Sequence, residues 1–241
     1  NFLTHSFNLK PDTKEWDFLT KQFEEAYAMK DHLTHVSPRV QNRNLPYTPV
    51  APSDTMQNEP DTDFDLSQNQ EWVRRIFAKW KKSGTEEPEI IPLQIGAETV
   101  VCKNRYKYLD RCQNDEVCIC EMSQADSAQV EKIIEIAETD PAGWRKTTLE
   151  ERHRIMYEAA NRLADMRGDL IGCMCAVTGK TVIEGDVEVS EAVDYARFYT
   201  TAMKKFAALD DIEIKPKGTI LVISPWNFPC AIPVGGIVAG L

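Results

Sequence analysis

The chain has 241 residues and a formal net charge of −10 at pH 7, a length that suits one large domain or two small ones. The acidic balance disfavours nucleic acid and anionic membrane as partners, because both require clustered lysine and arginine, and no apolar run approaches the roughly 20 residues of a membrane span. The seven cysteines are odd in number and lack the C-x-x-C spacing of zinc sites. We therefore expect reduced cytoplasmic thiols, with neither a disulfide framework nor a metal site.

Residues 1–41 are predicted to form a helical end piece. Its apolar residues recur at three- and four-residue intervals, as on one face of a helix: Trp16, Leu19, Phe23 and Tyr27. Residues 42–66 follow as a solvated linker, since four prolines and many polar residues favour extended chain. The chain starts with Asn1 rather than methionine, and Leu241 falls within a predicted helix. We therefore interpret it as part of a longer polypeptide.

Short helices and strands are predicted from Ser67 onward. Ser67 is expected to cap a helix that runs through Trp80. Two strands, at 90–95 and 98–101, are predicted on either side of a small-residue turn, and a further strand at 117–121.

Capping residues mark the longer helices that follow. Asp126 precedes one apolar stripe, and Thr148 with Glu151 forms a capping box in front of the next. The helix after this box is predicted to bury five side chains: Ile155, Met156, Ala159, Leu163 and Met166. A long helix at about 182–206 is predicted to bury six: Val189, Val193, Ala196, Tyr199, Met203 and Phe206.

The last stretch combines strands, a turn and a helix. A short strand is predicted at 211–215, and residues 219–223 are β-branched and aliphatic, as in a parallel strand covered on both faces. Ser224 and Pro225 end that strand, because proline cannot donate to a sheet ladder, and a helix of small residues follows Pro229. This order places the turn at the carboxyl edge of a sheet, where open α/β folds bind ligands.

The run Ile223-Ser224-Pro225-Trp226-Asn227-Phe228-Pro229 resembles the signature at the front of the cofactor domain in the aldehyde dehydrogenase superfamily. The sequence has no G-x-G-x-x-G fingerprint, which fits a family that binds NAD through a different turn. The resemblance implies an α/β fold: the N-terminal portion of an aldehyde dehydrogenase, with helices and the start of a Rossmann-like parallel sheet. A helical barrel tail and a linker would precede it.

Two further stretches resemble the bifunctional proline utilisation A enzymes. Residues 1–7 resemble the tail of a proline dehydrogenase barrel, and residues 58–64 resemble the segment that joins this barrel to the aldehyde dehydrogenase module. The implied domains are a barrel tail at 1–41, a linker at 42–66 and the N-terminal part of the NAD-binding module at 67–241. FAD would belong to the proline dehydrogenase domain of the parent protein, outside this chain.

The resemblance also implies roles for individual side chains. Asn227 matches the residue that donates to the oxyanion during catalysis, and Phe228 matches an aromatic that packs on the carbon chain of glutamate semialdehyde. Glu191 falls where the glutamate semialdehyde branch has a glutamate close to the substrate, although a solvated helix face explains it equally well. The nucleophilic cysteine and the general base are expected beyond Leu241. Four residues match the lining of the NAD site: Ile223, Ser224, Pro225 and Trp226.

The implied activity is NAD-dependent oxidation of a small molecule, L-glutamate γ-semialdehyde, to L-glutamate in proline catabolism. The implied assembly is a homo-oligomer formed through the dehydrogenase module, with residues 211–215 in an arm that bridges subunits. Two alternatives stay open: an aldehyde dehydrogenase for another substrate, and a non-catalytic, dehydrogenase-like segment that serves subunit association. A cysteine and its glutamate base beyond Leu241 would distinguish an enzyme from the second alternative.

Overall fold

The computed structural model of the protein describes residues 10–34, 36–81, 87–110, 113 and 117–241. The chain divides into two units, 1–40 and 41–241. Residues 1–7, which carry the barrel-tail resemblance, lie outside the described residues.

The first unit contains helix α1 (Lys14–Ala28) and a short 3-10 turn (Lys30–His32). Thr13 caps α1, because its hydroxyl accepts a hydrogen bond from the amide of Trp16. The predicted helix is therefore present, and every residue of α1 is exposed, including its apolar face.

The strands of the second unit lie early in its chain and form one small mixed sheet and one hairpin. The strands are β1 (Glu89–Ile91), β2 (Leu93–Ile95), β3 (Glu98–Val100), β4 (Arg105–Leu109) and β5 (Cys118–Ser123). Strand β5 lies between the other two strands of the sheet, parallel to β1 and antiparallel to β4, while β2 and β3 form the hairpin. The predicted strand at 90–95 is broken at Pro92, which cannot donate to a ladder, and β4 was not predicted.

Helices make up most of the rest of the second unit: α2 (Ser67–Trp80), α3 (Ser127–Thr139), α4 (Leu149–Asp165), α5 (Arg167–Thr178), α6 (Val182–Ala207) and α7 (Ala231–Gly240). The predicted caps at Asp126 and Thr148 are confirmed, and both are capping boxes. The predicted cap at Ser67 is wrong. The carbonyl of Leu66 already accepts the amides of Asn69 and Gln70, so Ser67 is the first residue inside the helix.

The core lies where α4, α5 and α7 pack around α6. Val189, Val193 and Ala196 of α6 are fully buried, as predicted, whereas Tyr199, Met203 and Phe206 are exposed. The buried face of α6 continues instead through three polar residues, Arg197, Thr200 and Thr201. Arg197 pairs with Glu59, and Thr201 donates to the carbonyl of Ser53.

The buried face of α4 is rotated from the predicted stripe. Only Met156 of the five predicted residues is fully buried, and Met166 is exposed. The observed face includes two side chains with polar rings, Tyr157 and His153. The Tyr157 hydroxyl donates to the carbonyl of Ser53 at 3.1 Å, and His153 packs against the Tyr157 ring. Its buried residues are His153, Met156, Tyr157, Ala160 and Ala164.

Residues 41–66, which we call the strap, are docked on the helices rather than solvated as predicted. Glu59 is only 6% exposed, and Thr62 is also buried. The Glu59 carboxylate lies 3.3 Å from a guanidinium nitrogen of Arg167 and 3.1 Å from one of Arg197. Thr62 donates its backbone amide to the Asp186 carboxylate of α6 at 2.6 Å. Buried charges require such partners, so Glu59 holds the strap to cations of the helical core.

The strands predicted at 211–215 and 219–223 are not formed among the described residues. Neither stretch is paired with a described strand, and Leu221 and Ile223 are 81% and 82% exposed. A β-strand exists only with a hydrogen-bonded neighbour. Leu221 and Ile223 therefore face the surface, whereas Val222 and Ile220 lie close to Gly236 and Gly240 of α7.

We expect His153 to make the stability of the second unit depend on pH near neutrality. Neither ring nitrogen has a hydrogen-bond partner among the described residues. Burial, and next the charge of Lys204, lower the pKa of His153, whereas the nearby carboxylates of Asp54 and Glu150 oppose this. His153 therefore binds a proton at a higher pH in the unfolded chain than in the folded chain. The free energy of unfolding should fall as the pH drops below about 6.5.

Urea unfolding between about pH 5 and pH 7 measures this effect. His153→Leu should remove most of the dependence of the free energy of unfolding on pH in that range. His32→Gln, which changes an exposed histidine of the first unit, should leave this dependence unchanged. An unchanged slope in His153→Leu would contradict this prediction.

Candidate active site

Five of the seven predicted site residues lie on the turn between residues 219–223 and helix α7, while Ile223 directly precedes this turn and Glu191 lies on α6. Ser224 is partly buried, while Pro225, Trp226, Asn227 and Phe228 are exposed, Trp226 to 80%. Three of the four residues predicted to line the NAD site are thus exposed, because Ile223 is 82% exposed as well. Asn227 follows them in the chain and is also exposed, so a ligand can reach it.

A buried carboxylate of α6 anchors the end of this turn. One oxygen of Glu188 accepts the backbone amides of Cys230 and Ala231 at 2.7 and 3.1 Å, and the side chain is 1% exposed. These are amides at the start of α7, where a helix leaves its first N–H groups without acceptors and its dipole is positive. Glu188 therefore caps α7 from another helix.

Lys180 completes this anchor. Its ammonium group donates to the second oxygen of Glu188. The same nitrogen lies 4.1 Å from the centre of the Phe228 ring, within the range of a cation–π contact. The start of α7 and the aromatic side chain of the turn are thus held by one ion pair.

Glu191 lies one helical turn beyond Glu188 on α6. It is partly buried and accepts a hydrogen bond from the Tyr195 hydroxyl at 2.9 Å. This bond raises the pKa of Tyr195, because the neutral phenol is the donor. The Tyr195 ring packs against α7 so closely that a Cβ on Gly235 would lie 2.9 Å from it. Glu191 is thus an oriented carboxylate next to α7, and its contact with substrate stays a prediction.

Cys230 is the cysteine nearest to Asn227 in sequence. Burial, and next the charge of Glu188, raise the pKa of its thiol to about 12. A thiol with that pKa stays protonated at neutral pH and is a poor nucleophile. Its role is packing in the core, where it lies among the buried residues of α5, α6 and α7.

Sequence reasoning missed Glu188 and Lys180. A signal was present, since Glu188 lies three residues after Gly185 and four before Ala192, both on the buried face of α6. A carboxylate on a buried helical face requires partners, although its position alone does not identify them.

No group of three metal-ligating side chains occurs in the part of the chain that the structure describes. Likewise, no helix in the described ranges has the length and apolarity to cross a membrane.

Comparison with known proteins gives a consistent set of relatives. A model of the aldehyde dehydrogenase family matches residues 102–241, more than half of the chain. The chain is 31% identical over 195 residues to a 1-pyrroline-5-carboxylate dehydrogenase of Geobacillus sp. (strain WCH70), an alignment that covers 76% of this chain and 37% of that protein. The chain therefore spans little more than a third of this relative's length.

Two solved structures extend the likeness to almost all of the chain. Proline utilization A from Bdellovibrio bacteriovorus has a TM-score of 0.71 at 23% identity, covering 87% of this chain and 22% of that one. Proline utilization A from Corynebacterium freiburgense has a TM-score of 0.57 at 27% identity, covering 92% of this chain and 18% of that one.

Proposed function

Since this chain belongs to the aldehyde dehydrogenase family, we propose that it is part of an NAD-dependent enzyme that oxidises L-glutamate γ-semialdehyde to L-glutamate. This aldehyde is the open-chain form of 1-pyrroline-5-carboxylate, which the names of the curated relatives specify. The observation that carries the proposal is the anchored turn, on which Asn227 is open to a ligand and Phe228 is held by Lys180.

Asn227 would stabilise the negative charge that develops on the aldehyde oxygen. Its side-chain NH₂ is a neutral donor, so it faces that charge without ionising. Phe228 would pack on the carbon chain of the substrate, and Glu191 would lie close to it. The nucleophile and the general base would come from residues beyond Leu241, as the resemblance implies. Cys230, the cysteine nearest to Asn227 in sequence, stays a protonated, buried thiol.

We expect Ile223, Ser224, Pro225 and Trp226 to line one side of the cofactor. Ile223 and Trp226 expose apolar side chains that a nicotinamide cofactor would cover. When bound there, NAD supplies the hydride acceptor for aldehyde oxidation. The part of this chain is to line one side of the cofactor and to place Asn227 next to the reacting carbon.

The parent protein is proposed to be a bifunctional proline utilisation enzyme of the cytoplasm. Support comes from the Corynebacterium structure, whose likeness covers 92% of this chain at 27% identity, well beyond residues 102–241. Residues 1–41 would be the tail of a flavin-dependent proline dehydrogenase domain that binds FAD outside this chain, and 42–66 would join it to the dehydrogenase module. The module would assemble as a homo-oligomer through 211–215, where Ile212 and Ile214 are exposed.

The test is NADH formation by the full-length parent protein, followed by absorbance, with L-glutamate γ-semialdehyde and NAD. Propanal serves as the control aldehyde, because it lacks the amino and carboxylate groups. Turnover that strongly favours the semialdehyde supports the proposal. Activity with propanal alone would keep the family and overturn the substrate, and inactivity with every aldehyde would favour a non-catalytic association segment.

A further inference from the structure

We propose that Lys180 and Glu188 form a clamp that sets the position of Asn227 and Phe228 and thereby the rate of aldehyde oxidation. Both are positioning residues, since they act on the turn rather than on the substrate. The inference rests on the proposed function for its catalytic consequence. Its structural part, that the pair holds the turn, stands on geometry alone.

The first step of the argument is burial. Glu188 is 1% exposed and the Lys180 side chain 14% exposed, so water screens their attraction poorly. A buried ion pair stabilises a fold only when its remaining hydrogen-bonding capacity is used. Glu188 meets this condition, because one oxygen takes the Lys180 ammonium and the other takes two backbone amides.

The second step is the place of those amides. Cys230 and Ala231 follow Asn227 by three and four residues, at the point where the turn becomes α7. The carboxylate therefore fixes the residue at which α7 starts and the direction from which the chain leaves the turn. Reaction rates fall when a catalytic group is displaced by about an ångström, so a loosened start of α7 should displace the Asn227 amide from the oxyanion.

The third step is the contact on the other side of the turn. The Lys180 nitrogen lies 4.1 Å from the centre of the Phe228 ring, next to Asn227 in sequence. Without its Glu188 partner, the ammonium would lose the contact that keeps it beneath this ring. The two residues therefore restrain the turn at Phe228 and at Cys230. Phe228, the nearer of these restraints, directly follows Asn227 in the chain.

Glu188→Gln is the informative substitution, because it keeps the shape and removes the charge. A glutamine oxygen still accepts backbone amides, but its NH₂ group would face the Lys180 ammonium, another donor. Lys180→Met removes the cation while keeping an unbranched apolar stem, and Lys180→Arg keeps the charge. Glu184→Ala is the matched control, since it removes a capping carboxylate of the same helix that is exposed and bonds Thr181 instead of the turn.

The first measurement is hydrogen exchange of peptides covering residues 224–232, with thermal unfolding recorded for each variant. Glu188→Gln and Lys180→Met should exchange faster at the amides of Cys230 and Ala231. Lys180→Arg should regain much of the protection, and Glu184→Ala should leave it unchanged. Equal exchange in all variants would overturn the clamp, and the Lys180 variants decide this even if Glu188→Gln fails to fold.

The second measurement is steady-state kinetics of the full-length protein. Glu188→Gln should lower kcat for the aldehyde by about tenfold or more, as expected for a displaced oxyanion donor, with a much smaller change in the KM for NAD. Faster exchange with unchanged kcat would overturn the positioning role and leave only a helix cap. A wild-type protein inactive with every aldehyde would overturn the proposed function and, with it, the effect of the clamp on the reaction rate. Hydrogen exchange would still decide whether Lys180 and Glu188 anchor the turn.

Discussion

Asn227→Ala should lower kcat of the full-length enzyme by about 10²–10³-fold, the loss that follows removal of one oxyanion donor. Alanine has no polar side-chain group, so nothing in the variant replaces the NH₂ donor of Asn227. Folding should be almost unaffected, since Asn227 is exposed and substitutions at such positions usually change stability by less than about 0.5 kcal/mol. The measurement is kcat and KM for L-glutamate γ-semialdehyde in both proteins.

Asn227→Asp is the matched control for this prediction. It has the size of asparagine but ionises at neutral pH, so it accepts hydrogen bonds where the reaction requires a donor. It should be at least as slow as the alanine variant. NAD affinity, measured by quenching of tryptophan fluorescence, should be close to that of the wild type for Asn227→Ala. A decrease in kcat of less than about threefold, far below the usual loss, would exclude Asn227 from the oxyanion site.

Glu59→Ala should destabilise the second unit by about 3–5 kcal/mol, the usual cost of removing one partner from a buried ion network. Glu59 faces three guanidinium groups, those of Arg43, Arg167 and Arg197. The Nε atoms of Arg167 and Arg197 are buried without a hydrogen-bond partner in the described part of the structure. Arg167 also pairs with the Asp186 carboxylate at 2.9 Å, whereas Glu59 is the carboxylate that pairs with Arg197. Loss of Glu59 would therefore leave the charge of Arg197 in particular poorly compensated.

Urea unfolding followed by circular dichroism measures this effect. Asp54→Asn is the control on the same strap: it removes the ion pair with Lys204, but the side chain is exposed, so the unfolding midpoint should change little. Equal midpoints for Glu59→Ala and wild type would mean that the Glu59 ion network contributes nothing to the stability of the second unit.

Local chemistry made the helices predictable from sequence. The capping box at Thr148 depends on Glu151, three residues away, and both lie within one turn. The turn residues were found in the same way, because Pro225 ends an aliphatic run whatever lies around it. Asn227 and its neighbours were named because residues 223–229 resemble the aldehyde dehydrogenase signature, and their roles in catalysis stay predictions.

The features that sequence reasoning missed depend on distant partners. Glu59 was assigned to a solvated linker because its acidic neighbours indicate exposure, yet its partner Arg167 lies 108 residues away. Glu188 meets the Cys230 amide across 42 residues. The run at 219–223 has strand-forming side chains, but propensity supplies no neighbouring strand, and pairing decides whether a strand forms.

The docked strap also has a consequence for the order in which the molecule forms. Thr62 leaves the ribosome 124 residues before its partner Asp186, so the strap cannot dock until α6 has been made. Closing a loop of that length costs entropy before any contact stabilises it, and contacts of such sequence separation slow folding. Protection of the strap from proteolysis should therefore be acquired late in folding, after the helical core has formed around α6.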